Sequence, residues 1–220
     1  MPQVSTREDV EVEAEASPAS TNEESGKRRQ IMDGARAVFL ATGFDAASMG
    51  EIARQAGVSK GTLYVYFDSK ERLFEAIIES ERRTQAEQVF ALDATDPDVE
   101  GSLKRLGVAF VLFLCQPEAL GSLRTVMAIA ERMPELGRSF YQAGPAFGIA
   151  RLANYLNDQV KAGVLDVADC EIAAAQFLDA CQSTLFKPLL FNASGQPTQE
   201  RIERVVGTAV RTFLAAYKAR

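Results

Sequence analysis

Residues 48–70, Ser-Met-Gly-Glu-Ile-Ala-Arg-Gln-Ala-Gly-Val-Ser-Lys-Gly-Thr-Leu-Tyr-Val-Tyr-Phe-Asp-Ser-Lys, constrain the fold more than any other stretch, because they specify two short helices joined by a tight turn. Ser48 suits an N-cap, and Glu51 three positions on completes a capping box. Ile52, Ala53 and Ala56 give the first helix one apolar face. Gly57 can take the left-handed conformation that closes a last turn, and Val58 follows as an apolar plug. Ser59 caps the second helix, where Leu63 and Phe67, four apart, share the buried face. Lys60, Gly61, Thr62, Tyr64, Val65 and Tyr66 are left facing outward or to the flanks.

Two tyrosines and a valine are poor choices for a helix face meeting plain solvent. They suit a DNA major groove, where hydroxyls meet phosphates and methyls meet thymine. Gly61 permits close approach. Asp68 or Ser69 then caps a further helix with the stripe Leu73, Phe74, Ile77 and Ile78. Upstream, Ile31, Ala35, Val38 and Phe39 form the inner face of a helix closing at Gly43-Phe44. The unit is three helices plus a fourth.

Over about residues 27–78 the chain resembles the TetR/AcrR family of bacterial transcriptional regulators, whose reading domain ends in a segment like Gly61-Thr62-Leu63-Tyr64-Val65-Tyr66-Phe67-Asp68-Ser69-Lys70. The resemblance implies that Ser48, Tyr64, Tyr66 and Lys70 grip phosphates and that Lys60, Gly61 and Thr62 approach base edges. Further on, Pro134-Glu135-Leu136, Phe140-Tyr141 and Gly144-Pro145 resemble an AefR-like or AcrR-like subgroup.

Charge divides the chain the same way. Residues 1–26 hold one basic and seven acidic residues, 27–74 eight and five, and 75–220 fifteen and eighteen. The overall −6 disfavours a nucleic-acid partner, but the net-positive segment coincides with the motif, as phosphate neutralisation requires. Lys27, Arg28 and Arg29 read either as a basic arm toward a phosphate or minor groove, or as a solvated helix start. Residues 1–26 lack aromatics and are rich in Glu, Ser, Thr, Ala and Pro, the composition of a disordered acidic tail and not of a secretory signal. The longest apolar run, Val108 to Cys115, is too short to span a bilayer, so the expectation is a soluble, cytoplasmic protein without a membrane partner. Cys115, Cys170 and Cys181 are scattered; the last two would lie about 16 Å apart along a helix, beyond disulfide reach.

The expected organisation is an all-α fold of about nine helices: a tail over 1–26, a helix-turn-helix domain over 27–74, and a larger helical body over 75–220. In the body, helical periodicity runs near 70–91, 98–115, 118–132, 135–162, 169–192 and 198–218, punctuated by Pro97, Pro117, Pro134, Gly163 and Pro197. Phe110, Phe113, Met127, Phe140 and Phe147 read either as ordinary core or, following the resemblance, as the lining of a cavity for a small apolar or amphipathic effector. Gly144-Pro145 should kink or break its helix beside them. Arg124, Glu131, Asn154 and Gln176 are polar residues near enough in sequence to orient an effector, or else are plain surface.

The helices near 169–192 and 198–218 are apolar on more than one face, which suits either packing within the chain or the four-helix homodimer contact that the resemblance implies. Two reading domains would then meet half-sites of a pseudo-palindromic operator on double-stranded DNA, spaced ~34–36 Å or a multiple. The chain has no histidine, which excludes His-based triads and His-zinc sites; no Gly-rich phosphate loop or paired cysteines fill the gap. No enzyme activity, cofactor or metal is therefore expected, and the rival to a ligand-responsive repressor is an architectural DNA-binding protein.

Overall fold

Side-chain caps and prolines decide where most helices begin. In a computed structural model, which describes residues 18–219, the chain forms α1 (Pro18–Thr42), α2 (Met49–Gln55), α3 (Lys60–Tyr66), α4 (Lys70–Val89), α5 (Val99–Leu114) and α6 (Pro117–Ile129). It continues through α7 (Pro134–Tyr141), α8 (Phe147–Lys161), α9 (Cys170–Gln182), α10 (Phe186–Leu190) and α11 (Gln199–Tyr217). Ser48, Ser59, Asp98, Asp169 and Thr198 each accept a backbone N–H of the first turn, while Pro117 and Pro134 open α6 and α7.

The all-α expectation holds, with no strand among the described residues, but there are eleven α-helices where about nine are expected. Both additions arise at prolines. The expected 135–162 helix is interrupted by a π-turn over Gln142–Ala146, because Pro145 has no N–H to give and its ring needs room in the turn before it. The expected 169–192 helix ends at Gln182 and restarts at Phe186, since Pro188 likewise cannot donate to the carbonyl of Thr184. At the other end, α1 starts at Pro18, inside the stretch whose composition assigned it to the tail; residues 1–17 lie outside the described residues.

Two apolar cores result. One lies within the body, where Leu103, Leu152, Leu156, Phe177, Ile202 and Val206 interlock from α5, α8, α9 and α11. The other joins Ile31, Phe39, Ile52, Leu63, Leu73 and Phe74 of the first four helices to Val126, Ile129, Leu136 and Phe140 of α6 and α7. Packing thus crosses the expected boundary after residue 74. Inside the second core, Gly34 lets α1 approach α2 closely: a Cβ there would stand 2.7 Å from Ala56.

Much of the apolar surface of α9 and α11 is used within the chain, where Phe177 meets Phe213 edge to face at 5.4 Å. Ile172 on α9 and Phe191 after α10 stay 55% and 77% exposed. The three cysteines are free and buried, and burial pushes the Cys181 thiol up to about 12. Among the described residues no single helix is long and apolar enough to cross a membrane; α5 and α6 reach that length only as a pair bent by 66°.

Candidate functional site

The helix-turn-helix forms as its residues dictate. Ser48 and Glu51 close a reciprocal capping box, with the Ser48 hydroxyl donating to Glu51 Oε2 at 2.8 Å. Gly57 sits at φ 65°, in the left-handed region that stops α2. From α1, Gln30 Nε2 donates to the carbonyl of Ala56 at 2.7 Å, and the Arg28 guanidinium lies 5.1 Å above the Phe67 ring. The basic cluster Lys27–Arg29 is therefore part of α1 and not an arm preceding it, and Arg28 covers Phe67 at the end of α3.

On α3 only Leu63 is buried. Lys60, Gly61, Tyr64 and Val65 are exposed and Thr62 and Tyr66 half-buried, Tyr66 resting against the N-terminal core. Tyr64 is 51% and Val65 81% exposed, unusual for such side chains on a helix of a folded unit. Val65 faces out as its position opposite Leu63 predicts, though it is absent from the residues that the family resemblance singles out. Thr62 Oγ1 lies 2.8 Å from Ser59 Oγ, and the Lys60 side chain reaches across to Gly50, so the starts of α2 and α3 form one surface.

Lys70 departs from its expected role. Its ammonium donates to the carbonyls of Phe44, Asp45 and Ala47 at 2.9, 3.0 and 3.2 Å and sits 4.8 Å from the Phe44 ring centroid. All three of its N–H groups are engaged in tying α4 to the loop before α2, so none is left for a phosphate.

The body holds an apolar cavity of about 250 Å³ between α5, α6, the π-turn, α8, α9 and α10. Of the five candidate lining residues, Phe110, Phe113 and Phe140 line its wall. Met127 and Phe147 do not: Met127 is 59% exposed, one step around α6 from the buried Val126, and Phe147 packs partly buried against the body core. Phe90 and Phe186 complete the wall instead. Neither was legible in the sequence, since Phe90 follows the end of α4 and Phe186 faces inward only because the chain breaks at Ser183–Leu185. Gly148 lets Phe90 in, for a Cβ there would stand 2.6 Å from its ring.

The wall carries few polar groups, Asp179 and Gln182, with Gln182 Nε2 donating to Asp179 Oδ1 at 2.8 Å. None of Arg124, Glu131, Asn154 and Gln176 lines it. Arg124 donates to the carbonyls of Leu189 and Leu190 and to Asn192 Oδ1, latching α6 onto the end of α10.

Cavity and N-terminal core share residues. Phe140 is both on the cavity wall and in the N-terminal core, and Leu123 lines the cavity while packing against that core. Beside Phe140, the Ser139 hydroxyl donates to Glu75 of α4, and this bond, more than the nearby Arg72, holds the Glu75 carboxyl below its ordinary pKa against a partly opposing burial. Arg132 reaches Asp45 at 3.2 Å, but both side chains are so exposed that the pair contributes little.

Comparison with known proteins agrees with this architecture. Residues 31–77 match the model described as bacterial regulatory proteins, tetR family, and residues 101–219 match that of the AefR-like transcriptional repressor, C-terminal domain. A crystal structure of a TetR-family regulator from Mesorhizobium loti MAFF303099 superposes with a TM-score of 0.82 at 31% identity, covering 89% of this chain and 98% of that one. The flavonoid-responsive regulator FrrA gives 0.78 at 32% identity, over 89% and 99%. The HTH-type transcriptional regulator YfiR of Bacillus subtilis (strain 168) is 38% identical over 65 residues, 29% of this chain and about a third (32%) of that relative's length. With one model on the three-helix unit and another over more than half of the chain, the protein belongs to the TetR family of bacterial transcriptional regulators.

Proposed function

We propose that this regulator is a homodimeric repressor that reads a pseudo-palindromic operator through α3 and lets go when a small apolar or amphipathic effector enters the cavity. The observation that carries the reading is the double membership of Phe140, on the cavity wall and in the core beneath the reading helices. An occupant that moves Phe140 must repack the residues that orient α3, because close-packed cores shift between discrete arrangements and do not deform smoothly. Release then follows if the effector binds the DNA-misfitting arrangement more tightly.

Tyr64, Tyr66 and Ser48 serve phosphates in this reading, with Lys60, Gly61, Thr62 and the exposed Val65 at base edges. The exposed Ile172 and Phe191 support dimerisation through the segments 169–192 and 198–218. The match to a repressor C-terminal domain supports the negative sign of regulation, and kinship with a flavonoid-responsive protein supports a small-molecule trigger.

The test is fluorescence anisotropy of the protein on a labelled fragment from upstream of its own gene, against scrambled DNA, at two salt concentrations. Tighter binding to the upstream fragment, persisting at the higher salt and halted by an effector, is the expected result. Equal, weak binding to both fragments would sink the operator assignment, and binding that no small molecule relieves would favour an architectural role.

A further inference from the structure

The cavity's chemistry narrows what can fill it. Phe90, Phe110, Phe113, Phe140 and Phe186 present five aromatic rings to one small space, and Phe90 and Phe110 already stand edge to face with centroids 6.0 Å apart. Such walls offer a flat ring the offset and edge contacts that aromatic pairs prefer, a gain that an aliphatic chain of equal area does not receive. At about 250 Å³ the space lies just below the ~300–1,000 Å³ of drug-sized sites, suited to a compact ligand.

The polar end is selective in the opposite sense from a carboxylate-binding site. Gln182 turns one amide N–H to Asp179 Oδ1 at 2.8 Å, which leaves its second N–H as a donor and the Gln182 carbonyl and second Asp179 oxygen as acceptors. Asp179, solvent-exposed and so at the rim, is the one charged side chain on the wall among the described residues. Arg124, whose charge would welcome an acid, is engaged with the carbonyls of α10. A ligand carboxylate would meet the like charge of Asp179 with no Lys or Arg among the described residues of the wall to offset it, whereas a hydroxyl or ammonium would find partners in the Asp179 and Gln182 oxygens. The phenylalanine faces favour a cation further.

We infer that the effector is a compact aromatic molecule, uncharged or cationic, that presents a hydrogen-bond donor to Asp179 and Gln182, and that acyl and aryl carboxylates are rejected. This inference rests on reading the cavity as the effector site. Its test is calorimetric titration of the full-length protein with 2-naphthol, 2-naphthylmethylammonium, 2-naphthoate and decanoate, with release from the operator fragment measured in parallel.

Naphthol and the ammonium should bind at least about tenfold more tightly than either acid. Asp179→Asn should weaken the ammonium and improve naphthoate, and Gln182→Glu, which adds an acceptor charge, should move both the other way. Naphthoate or decanoate binding as tightly as naphthol would overturn the inference, as would failure of naphthol and the ammonium to bind at millimolar concentration. The expected order of affinities without any release of DNA would leave the ligand class standing and remove the cavity's regulatory role. Release by the acids alone would do the reverse.

Discussion

Helix α3 and the cavity use the same kinds of side chain in opposite ways. On α3, Tyr64 and Val65 stand in solvent around a single buried anchor, Leu63. In the body, five phenylalanines, all buried or half-buried, turn toward a shared space. Aromatic groups left outside on a short helix need a partner that supplies the missing surface, whereas those turned inward need one small enough to enter. The difference lies in what fixes each arrangement: α3 is set by caps and a turn within a few residues of itself, and the cavity by helices drawn from most of the body.

The contrast can be broken most severely at the anchor. Leu63→Ala should cost about 3 kcal/mol, seen as a large fall in the thermal midpoint, while Val65→Ala should leave stability almost unchanged and weaken DNA binding. If Val65→Ala lowered stability instead, α3 would be a packing helix and not a reading one. Next comes the seam between α1 and α2, where Gly34→Ala forces a methyl against Ala56 and should cost about 1–3 kcal/mol in denaturant melts.

Lys70→Met sharpens the division between holding and reading. Loss of three hydrogen bonds from the ammonium should lower stability by roughly 1–2 kcal/mol and leave the salt dependence of DNA binding as it was. A stable variant whose salt slope drops by about one would instead return Lys70 to the phosphates. Tyr66→Phe should weaken binding to every sequence alike, by about 1 kcal/mol, and a changed base preference at full affinity would refute its phosphate role.

The smallest effect expected is at the joint between the two regions. The folded Glu75 pKa is depressed below its ordinary 4.5, chiefly by the Ser139 hydroxyl, so its contribution to stability is present above pH 4.5 and fades as pH falls through the lower folded value. Ser139→Ala should flatten the acid limb of a plot of melting temperature against pH, and an unaltered limb would mean that this bond does not couple α7 to α4.

Sequence patterns carried the reader further than the body. The capping box at Ser48, the stop at Gly57 and the outward set on α3 are consequences of neighbours three or four residues apart, which is the range over which a linear pattern is informative. The Gly144-Pro145 break was legible for the same reason, but its form as a π-turn was not. Pro188 is an equally local signal for the end of α9, one that the apolar periodicity over 169–192 does not register. Lys70 shows the limit from the other side, because its position in the motif suggested DNA while its three acceptors come from a loop more than twenty residues earlier.

The sequence by itself determined an all-α regulator with a helix-turn-helix near its start, because helix periods, caps and turns are written in short-range spacing and the motif is complete. Only the tertiary structure decided which large apolar side chains face the cavity, admitting Phe90 and Phe186 and excluding Met127 and Phe147, and that Phe140 belongs to the cavity wall and the N-terminal core together. The physical reason is that an apolar residue on a helix gains equally from any dry neighbour. Its spacing fixes which face of its helix it shares, and the packing of distant helices fixes whether that face is buried and against what.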